Sequence, residues 1–541
     1  MLLRRPSIAF LACLAFTACA NNPVPDEGGE KAESSDEEFA SRESVQLDFE
    51  FDGELTSDSS FNPKQAIQDQ FLYTIGHLNW DRSVGRLDRL VLSNVKTSAQ
   101  ADGFRVTYHA KMPVAWGKKN AVPASYAFTL PRSVTFSGLE SFTSKYKASC
   151  VDFGAHEVDS GSMWYYFRPQ TSGCTLPATD VVKLNATVTR STENTTGKYP
   201  EYHRVWEDNE LKVVAIFGKY EKSGTTSADA GIDAYNTFAA QMKSTLGPLQ
   251  LTTEPANVAP QPGVSAPDIT FRATLADGKK VTVNALLVDE ISSAPESFYT
   301  RYEALSASAD VIAYNGHAGL GQNVRALANR GRFVPGKYLM LFMNGCDTFA
   351  YVDGSLAQKR ALLNPDDVAG TKYMDIITNA MPAYFHSDSP ATTALITGLM
   401  STGAPKTYEQ MFSSIDTAQV VLVTGEEDNA FVPGTPIGPG GGGGGAWAGI
   451  NESGSVAKAV EKRWQTPALA AGSYTFSITG TGDADLYVKR GSAPTTTSYD
   501  CRPYKGGSAE TCTVTLAAPA PIHVMVRGYA AASTFTLVGK K

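Results

Sequence analysis

No HExxH sequence occurs anywhere in the chain, so no helix is marked as carrying the paired histidines of the common zinc hydrolases. The G-x-S-x-G turn that exposes a serine nucleophile is missing as well. Basic residues are in the minority: 47 Lys and Arg against 55 Asp and Glu give a net charge of -8, which argues against nucleic acid as a partner. Histidine is scarce, at seven residues, and His77, His109 and His156 stand in no spacing that marks a metal site. The N-terminal apolar run Ile8–Phe16 is too short to cross a bilayer, and no later apolar stretch is long enough to do so.

What is present begins with an address. Arg4 and Arg5 precede the Ile8–Phe16 run, which is the pattern of a secretory signal. Its end, Phe16-Thr17-Ala18-Cys19, resembles a bacterial lipoprotein box, with Phe16 where Leu is usual. The resemblance implies a signal peptide over 1–18, lipid on Cys19 and attachment through that lipid to a bilayer. Ala20, rather than Asp, after the cysteine implies the outer membrane or cell surface. Residues 19–43 are acidic, rich in Ser, Gly and Pro, and are expected to form a disordered tether.

Seven cysteines then separate into groups. Cys13 lies in the signal and Cys19 is the lipid acceptor, leaving Cys150, Cys174, Cys346, Cys501 and Cys512. Export permits disulfides, and the outer four form local pairs, Cys150 with Cys174 and Cys501 with Cys512. Cys346 is left over, and an unpaired thiol in an oxidising compartment calls for a reason.

A chain of this length holds several folding units. Residues 44–205 show short alternating runs such as Val45–Phe51, Phe104–Ala110 and Val182–Thr189, so a β-rich domain is expected there. Within it Trp164, Tyr165, Tyr166 and Phe167 read as core and strand surface rather than a binding platform. Residues 206–432 alternate apolar strands with helical periods. A strand from Leu211 is followed by a helix with Ile232, Tyr235, Ala239, Met242 and Leu246 on one face, capped by Ser227 or Asp229. A hairpin turns about Asp277-Gly278, and a helix begins near Ser293 with Pro295 in its first turn. Met374–Tyr384 is expected to be helical, and Val420–Val423 to be a last strand before Glu426-Glu427-Asp428. This is a three-layer α/β unit with a mostly parallel sheet. Pro433 to Ala446 is a Gly/Pro linker, and 447–541 shows only β runs, which indicates a β-sandwich.

Two apolar runs of the α/β unit, Val311–Tyr314 and Tyr338–Met343, each end in a glycine beside one reactive side chain, His317 and Cys346. As neighbouring parallel strands they would open on one sheet edge, where such sheets bind ligands. The order of strand, histidine with glycines, crossover, strand and cysteine resembles the caspase- and gingipain-like cysteine peptidases. The resemblance implies an exported endopeptidase acting on protein or peptide substrates, with no required cofactor. In it Cys346 would be the nucleophile and His317 the general acid/base. Backbone near Gly316, Ala318 and Gly319 would hold the oxyanion. Two departures stand out. Ala318 follows the histidine where the family has glycine, and Asp347 would oppose ionisation of Cys346 unless strand alternation turns it away. A zinc site of His317, His386 and Asp388 has no supporting ligand spacing. The competing reading is a non-catalytic, lipid-anchored binding protein with a pseudo-peptidase domain.

The C-terminal segment GTGDADLYVKRGSAPT, with Cys501, Cys512 and PIHVMVRGYAAASTFTL, resembles the bacterial pre-peptidase C-terminal domain. The resemblance implies the company of exported hydrolases. Asp483 and Asp485 match its acidic turn, where related sandwiches can hold calcium.

Overall fold

The computed structural model describes residues 38–155, 157–351, 354–425, 429–438, 449–466, 469, 472–516 and 520–541. The signal, Cys19, His156 and Glu426-Glu427-Asp428 lie outside the described residues, as do most of the expected tether and most of the linker.

The N-terminal domain is an antiparallel sheet of six strands, with Val45–Ser57 at its centre between Gly103–Trp116 and Val181–Arg190. Alternation along the central strand buries Leu47, Phe49, Phe51 and Leu55 and exposes Glu50 and Asp52. The covered face packs on a helix, Pro63–Asn79, which sequence periodicity did not announce. Asn62 caps it by accepting from the Gln65 amide, Pro63 occupies its first turn, and Ile67, Phe71, Ile75 and Leu78 enter the core. Trp164, Tyr165 and Tyr166 lie in a short helix, Met163–Tyr166, rather than in a strand. They belong to a loop closed by the Cys150–Cys174 disulfide.

The α/β unit is built on a ten-stranded sheet. Its middle five strands are mutually parallel, in the order Lys280–Val288, Glu210–Gly218, Val311–Asn315, Leu339–Asn344, Met374–Asn379. Val421–Thr424 then pairs antiparallel with Met374–Asn379. Alternate residues feed two cores: Val213, Ala215 and Phe217 pack with the helices Ala230–Leu246 and Phe385–Leu399. Val214 and Ile216 pack with the layer that contains Glu296–Ser306 and Gln322–Arg330. Burial on both faces defines three layers. Asp229, not Ser227, caps the first helix, accepting from the Gly231 and Ile232 amides.

Three expectations are corrected. Met374–Asn379 is a strand, not the start of a helix: a strand buried on both faces shows no alternation, and Ile376, Ile377 and Thr378 favour extended backbone. The helix follows at Phe385, after a turn. Pro295 precedes the Glu296–Ser306 helix as its cap rather than sitting inside its first turn. Phe39–Ser41, inside the stretch expected to be tether, is a strand of the α/β sheet, paired on one side with Val421–Thr424 and on the other with Asn194–Thr195. Buried Phe39 and Ala40 supply the apolar surface that holds it there.

The C-terminal domain packs a four-stranded sheet against a three-stranded one around Phe476, Leu486, Val524 and Phe535. The Cys501–Cys512 disulfide ties the edge strand Glu510–Leu516 to the preceding loop.

Candidate functional site

At the carboxyl ends of the parallel strands lies a belt of carboxamides. Asn315 and Asn344 are register partners, and each ends its strand. The Asn344 Nδ2 donates to Asn315 Oδ1 at 2.9 Å, while Asn344 Oδ1 accepts from Asn379 at 3.0 Å and from Gln419 at 2.6 Å. Thr392 adds a bond of 2.7 Å to Asn315 Oδ1. All five side chains are buried, so each bond replaces lost water and fixes the edge on which the reactive residues sit. Sequence reasoning missed this belt. Its signal was present: the strands that end at 315, 344 and 379 all close on asparagine.

The histidine turn leaves the sheet through Gly316, at φ 145°, and Gly319, at φ 60°. Its backbone is braced by the Tyr314 hydroxyl and Asn323 Nδ2, which donate to the His317 carbonyl at 2.8 Å and 2.7 Å. The Gly316 amide donates to the Asn344 carbonyl, so that N–H is already engaged. The cysteine turn presses on the histidine turn: a Cβ on Gly345 would stand 2.6 Å from the Gly316 carbonyl oxygen.

The two turns touch, but His317 and Cys346 do not pair. The exposed His317 ring bonds through Nε2 with the Tyr220 carbonyl at 3.3 Å. It sits between the rings of Tyr220 and Phe385, at 5.2 Å and 5.3 Å, and those two are 5.7 Å apart. The Cys346 thiol points elsewhere, donating to the Ala383 carbonyl at 3.4 Å. Burial pushes that thiol up to about 12, and the Asp347 and Asp388 carboxylates add to the shift. Asp347 does not face away. The strand ends at Asn344, and Asp347 takes a left-handed conformation, φ 52°, in the following turn, so strand alternation no longer applies. Burial raises Asp347 itself to about 7, partly offset by its bond from Asn79 and by nearby Arg168. Burial also holds Asp388 far above the usual carboxylate range.

The N-terminal domain completes this edge. Asn79 Nδ2 donates to Asp347 Oδ1 at 2.8 Å, and Arg168 holds Asn79 Oδ1 at 3.3 Å. Phe349 and Ala350 belong to the core of the N-terminal domain, and Trp164 meets Tyr351 edge-on at 6.4 Å between ring centres.

The remaining expected residues are dispersed. His386 stacks on Tyr384 and bonds with Asp416 at 3.3 Å, so it joins neither His317 nor Asp388. Asp485 is paired with Arg502 at 2.9 Å, and Asp483 accepts from the Gly507 amide at 3.0 Å. Among the described residues no group of three His, Cys, Asp or Glu side chains could hold a metal ion. Cys346 is the free cysteine among the described residues.

Comparison with known proteins bears on the C-terminal domain. Residues 467–528 match the bacterial pre-peptidase C-terminal domain, and the C-terminal sandwich carries it. Over 75 residues the chain is 56% identical to a zinc metalloprotease of Helicobacter pylori, covering 12% of this chain and 29% of that one. It is 56% identical over 75 residues to the hemagglutinin/proteinase of Vibrio cholerae serotype O1, 12% of each chain. It is 52% identical over 50 residues to alkaline serine exoprotease A of Vibrio alginolyticus, 9% of each. The chain thus spans less than a third of the length of these curated relatives. A solved structure described as the solution structure of vEP C-ter 100 shares 40% identity, covering 16% of this chain and 88% of that one at a TM-score of 0.15. These relatives are named for zinc and serine chemistry, which conflicts with the expected cysteine endopeptidase. The Cys/His dyad reading is corrected on that ground, and the protonated thiol, bonded to the Ala383 carbonyl, agrees with the correction.

Proposed function

We propose that this chain is an exported polypeptide-binding protein whose working face is the carboxyl-end rim of its α/β sheet. The observation that carries the reading is the cluster of Tyr220, His317 and Phe385, three rings within 5.7 Å of one another on the edge where parallel sheets take ligands. Tyr220 keeps 42% of its surface exposed. Aromatic faces of this kind bind peptide side chains and backbone with little entropic cost, because each ring has few rotatable bonds. Peptidase relatives of the C-terminal domain favour polypeptide over other ligands, and two disulfides suit an oxidising compartment. The α/β unit fits the caspase-like architecture in that its histidine and cysteine turns close adjacent parallel strands. Lipid on Cys19 is part of this reading and rests on the sequence of the signal alone.

Fluorescence anisotropy with labelled, unfolded polypeptides tests it. The wild type should bind, and Tyr220→Ala should bind about tenfold more weakly, the loss of one anchoring ring of ~1.4 kcal/mol. A wild type that binds no polypeptide, or a Tyr220→Ala variant that binds as well, would overturn it.

A further inference from the structure

Towards one edge of the α/β sheet, one of its two faces changes character. On strands Asp268–Thr274, Lys280–Val288 and Glu210–Gly218, the side that carries Phe271, Val283 and Val213 is apolar throughout and belongs to one core. The other side is apolar at Leu286, Val214 and Ile216, which share a core with the Glu296–Ser306 helix. Next to them it turns polar in two rows that run across the strands. Arg272, Thr282 and Lys212 are successive register partners, and so are Glu254, Thr270 and Asn284. A face that a three-layer sheet ordinarily buries is left open here. Over it lies a cavity of about 610 Å³, inside the range of about 300–1,000 Å³ that small-molecule sites occupy. It sits on the first halves of the Glu210 and Lys280 strands, away from the carboxyl-end rim.

The polar groups of this cavity hold one another in place. Asn284 and Thr270 are buried in its floor: Asn284 Oδ1 accepts from Thr270 at 3.0 Å and from Arg301 at 3.3 Å, and Asn284 Nδ2 donates to the Val213 carbonyl at 3.3 Å. Arg301 reaches from the helix to Asp268 at 2.8 Å. Arg272 donates to Glu254 at 3.1 Å, and Thr282 to Glu210 at 2.6 Å. Groups fixed in this way lose little freedom when a ligand arrives. The charges of the lining cancel, with Glu210, Glu254 and Asp268 against Lys212, Arg272 and Arg301, so neither an anion nor a cation is favoured. A zwitterion would have to separate ion pairs that already exist. A neutral ligand rich in hydroxyls would not, because a guanidinium has five donors and a carboxylate about four acceptor sites. Pairs joined by one or two bonds keep capacity for groups that both donate and accept. Leu305 and Pro255 add apolar surface that can cover the C–H face of a ring.

We propose that this cavity is a saccharide-binding site, in which the hydroxyls of a short neutral glycan bond to the Arg301–Asp268 and Arg272–Glu254 pairs over the Thr270–Asn284 floor. The site is separate from the polypeptide-binding rim and does not depend on it.

Isothermal titration calorimetry of the full chain with cellohexaose, maltohexaose and N-acetylchitohexaose tests the assignment. At least one of the three should bind with a Kd of about 1 mM or tighter. Arg301→Met and Arg272→Met each keep most of the side-chain stem and remove the guanidinium. Each should weaken binding of that sugar about tenfold or more. Binding of unfolded polypeptide to Arg272→Met should match wild type, so the two sites fail or stand separately. If Arg301→Met does not fold, Arg272→Met, whose side chain is half exposed, decides. No binding of any of the three sugars at about 10 mM would overturn the proposal. So would an unchanged affinity in Arg272→Met. Glycylglycine or inorganic phosphate binding more tightly than the sugars would also overturn it, because the cavity would then be an ionic site.

Discussion

Replacing Asp347 by Asn takes one charge out of the strand-end turn while leaving its shape in place. Asn accepts the same bond from Asn79, and it tolerates the left-handed backbone at φ 52° better than most residues. In the wild type the folded chain keeps the Asp347 proton up to about pH 7, whereas an unfolded chain releases it near the ordinary carboxylate value of 3.8. Between those two values the native state binds more protons than the unfolded state, so the Asp347 contribution to stability falls as pH rises and is constant above about 7. About three pKa units correspond to about 4 kcal/mol, which is the most the charge can cost. Urea unfolding of the full chain at pH 4 through 8, wild type minus variant, isolates this group, because Asp310 and Asp388, also raised by burial, titrate in both proteins. The two proteins should be equally stable near pH 4, and Asp347→Asn should gain up to about 4 kcal/mol by pH 8. A variant that is less stable at pH 8, or a difference that does not change with pH, would refute the account of this turn as a buried, charge-averse site.

Two further outcomes are expected. Gly345→Ala places a methyl 2.6 Å from the Gly316 carbonyl oxygen, so the histidine and cysteine turns must separate; a loss of about 1–3 kcal/mol in the same unfolding assay is expected. Metabolic labelling with a fatty acid should mark the wild type and not Cys19→Ala, and equal labelling of the two would exclude Cys19 as the anchor.

The sequence located elements whose pattern is local. The Val311 and Leu339 strands, the Ala230–Leu246 helix and the hairpin at Asp277-Gly278 each announce themselves within a dozen or so residues by period, cap or turn. It misjudged Met374–Asn379 because a strand buried on both faces has no alternation to read. It missed the Pro63–Asn79 helix, whose buried face mixes Gln70, Thr74 and His77 with apolar residues. The chemistry at Cys346 was legible as a position and not as an environment. What keeps the thiol protonated is burial, with the Asp347 and distant Asp388 carboxylates adding to it, and the turn is fixed by Asn79, 268 residues from its partner Asp347. No window along the chain contains such a contact.

The pairing of Phe39–Ser41 with Asn194–Thr195 has a mechanical consequence. The chain passes into the N-terminal domain through one strand of the α/β sheet and returns through the strand parallel to it, with Phe39 opposite Asn194 and Ala40 opposite Thr195. Both ends of the domain are thus stitched to one sheet edge, about one strand spacing apart, ~4.8 Å. Such a domain has no single hinge on which to swing, and a nick anywhere between the two strands releases neither fragment, since each remains part of the sheet. Tension arriving from the chain before residue 38 meets a strand zipped on both sides, to Val421–Thr424 as well as to Asn194–Thr195, before it reaches the domain beyond.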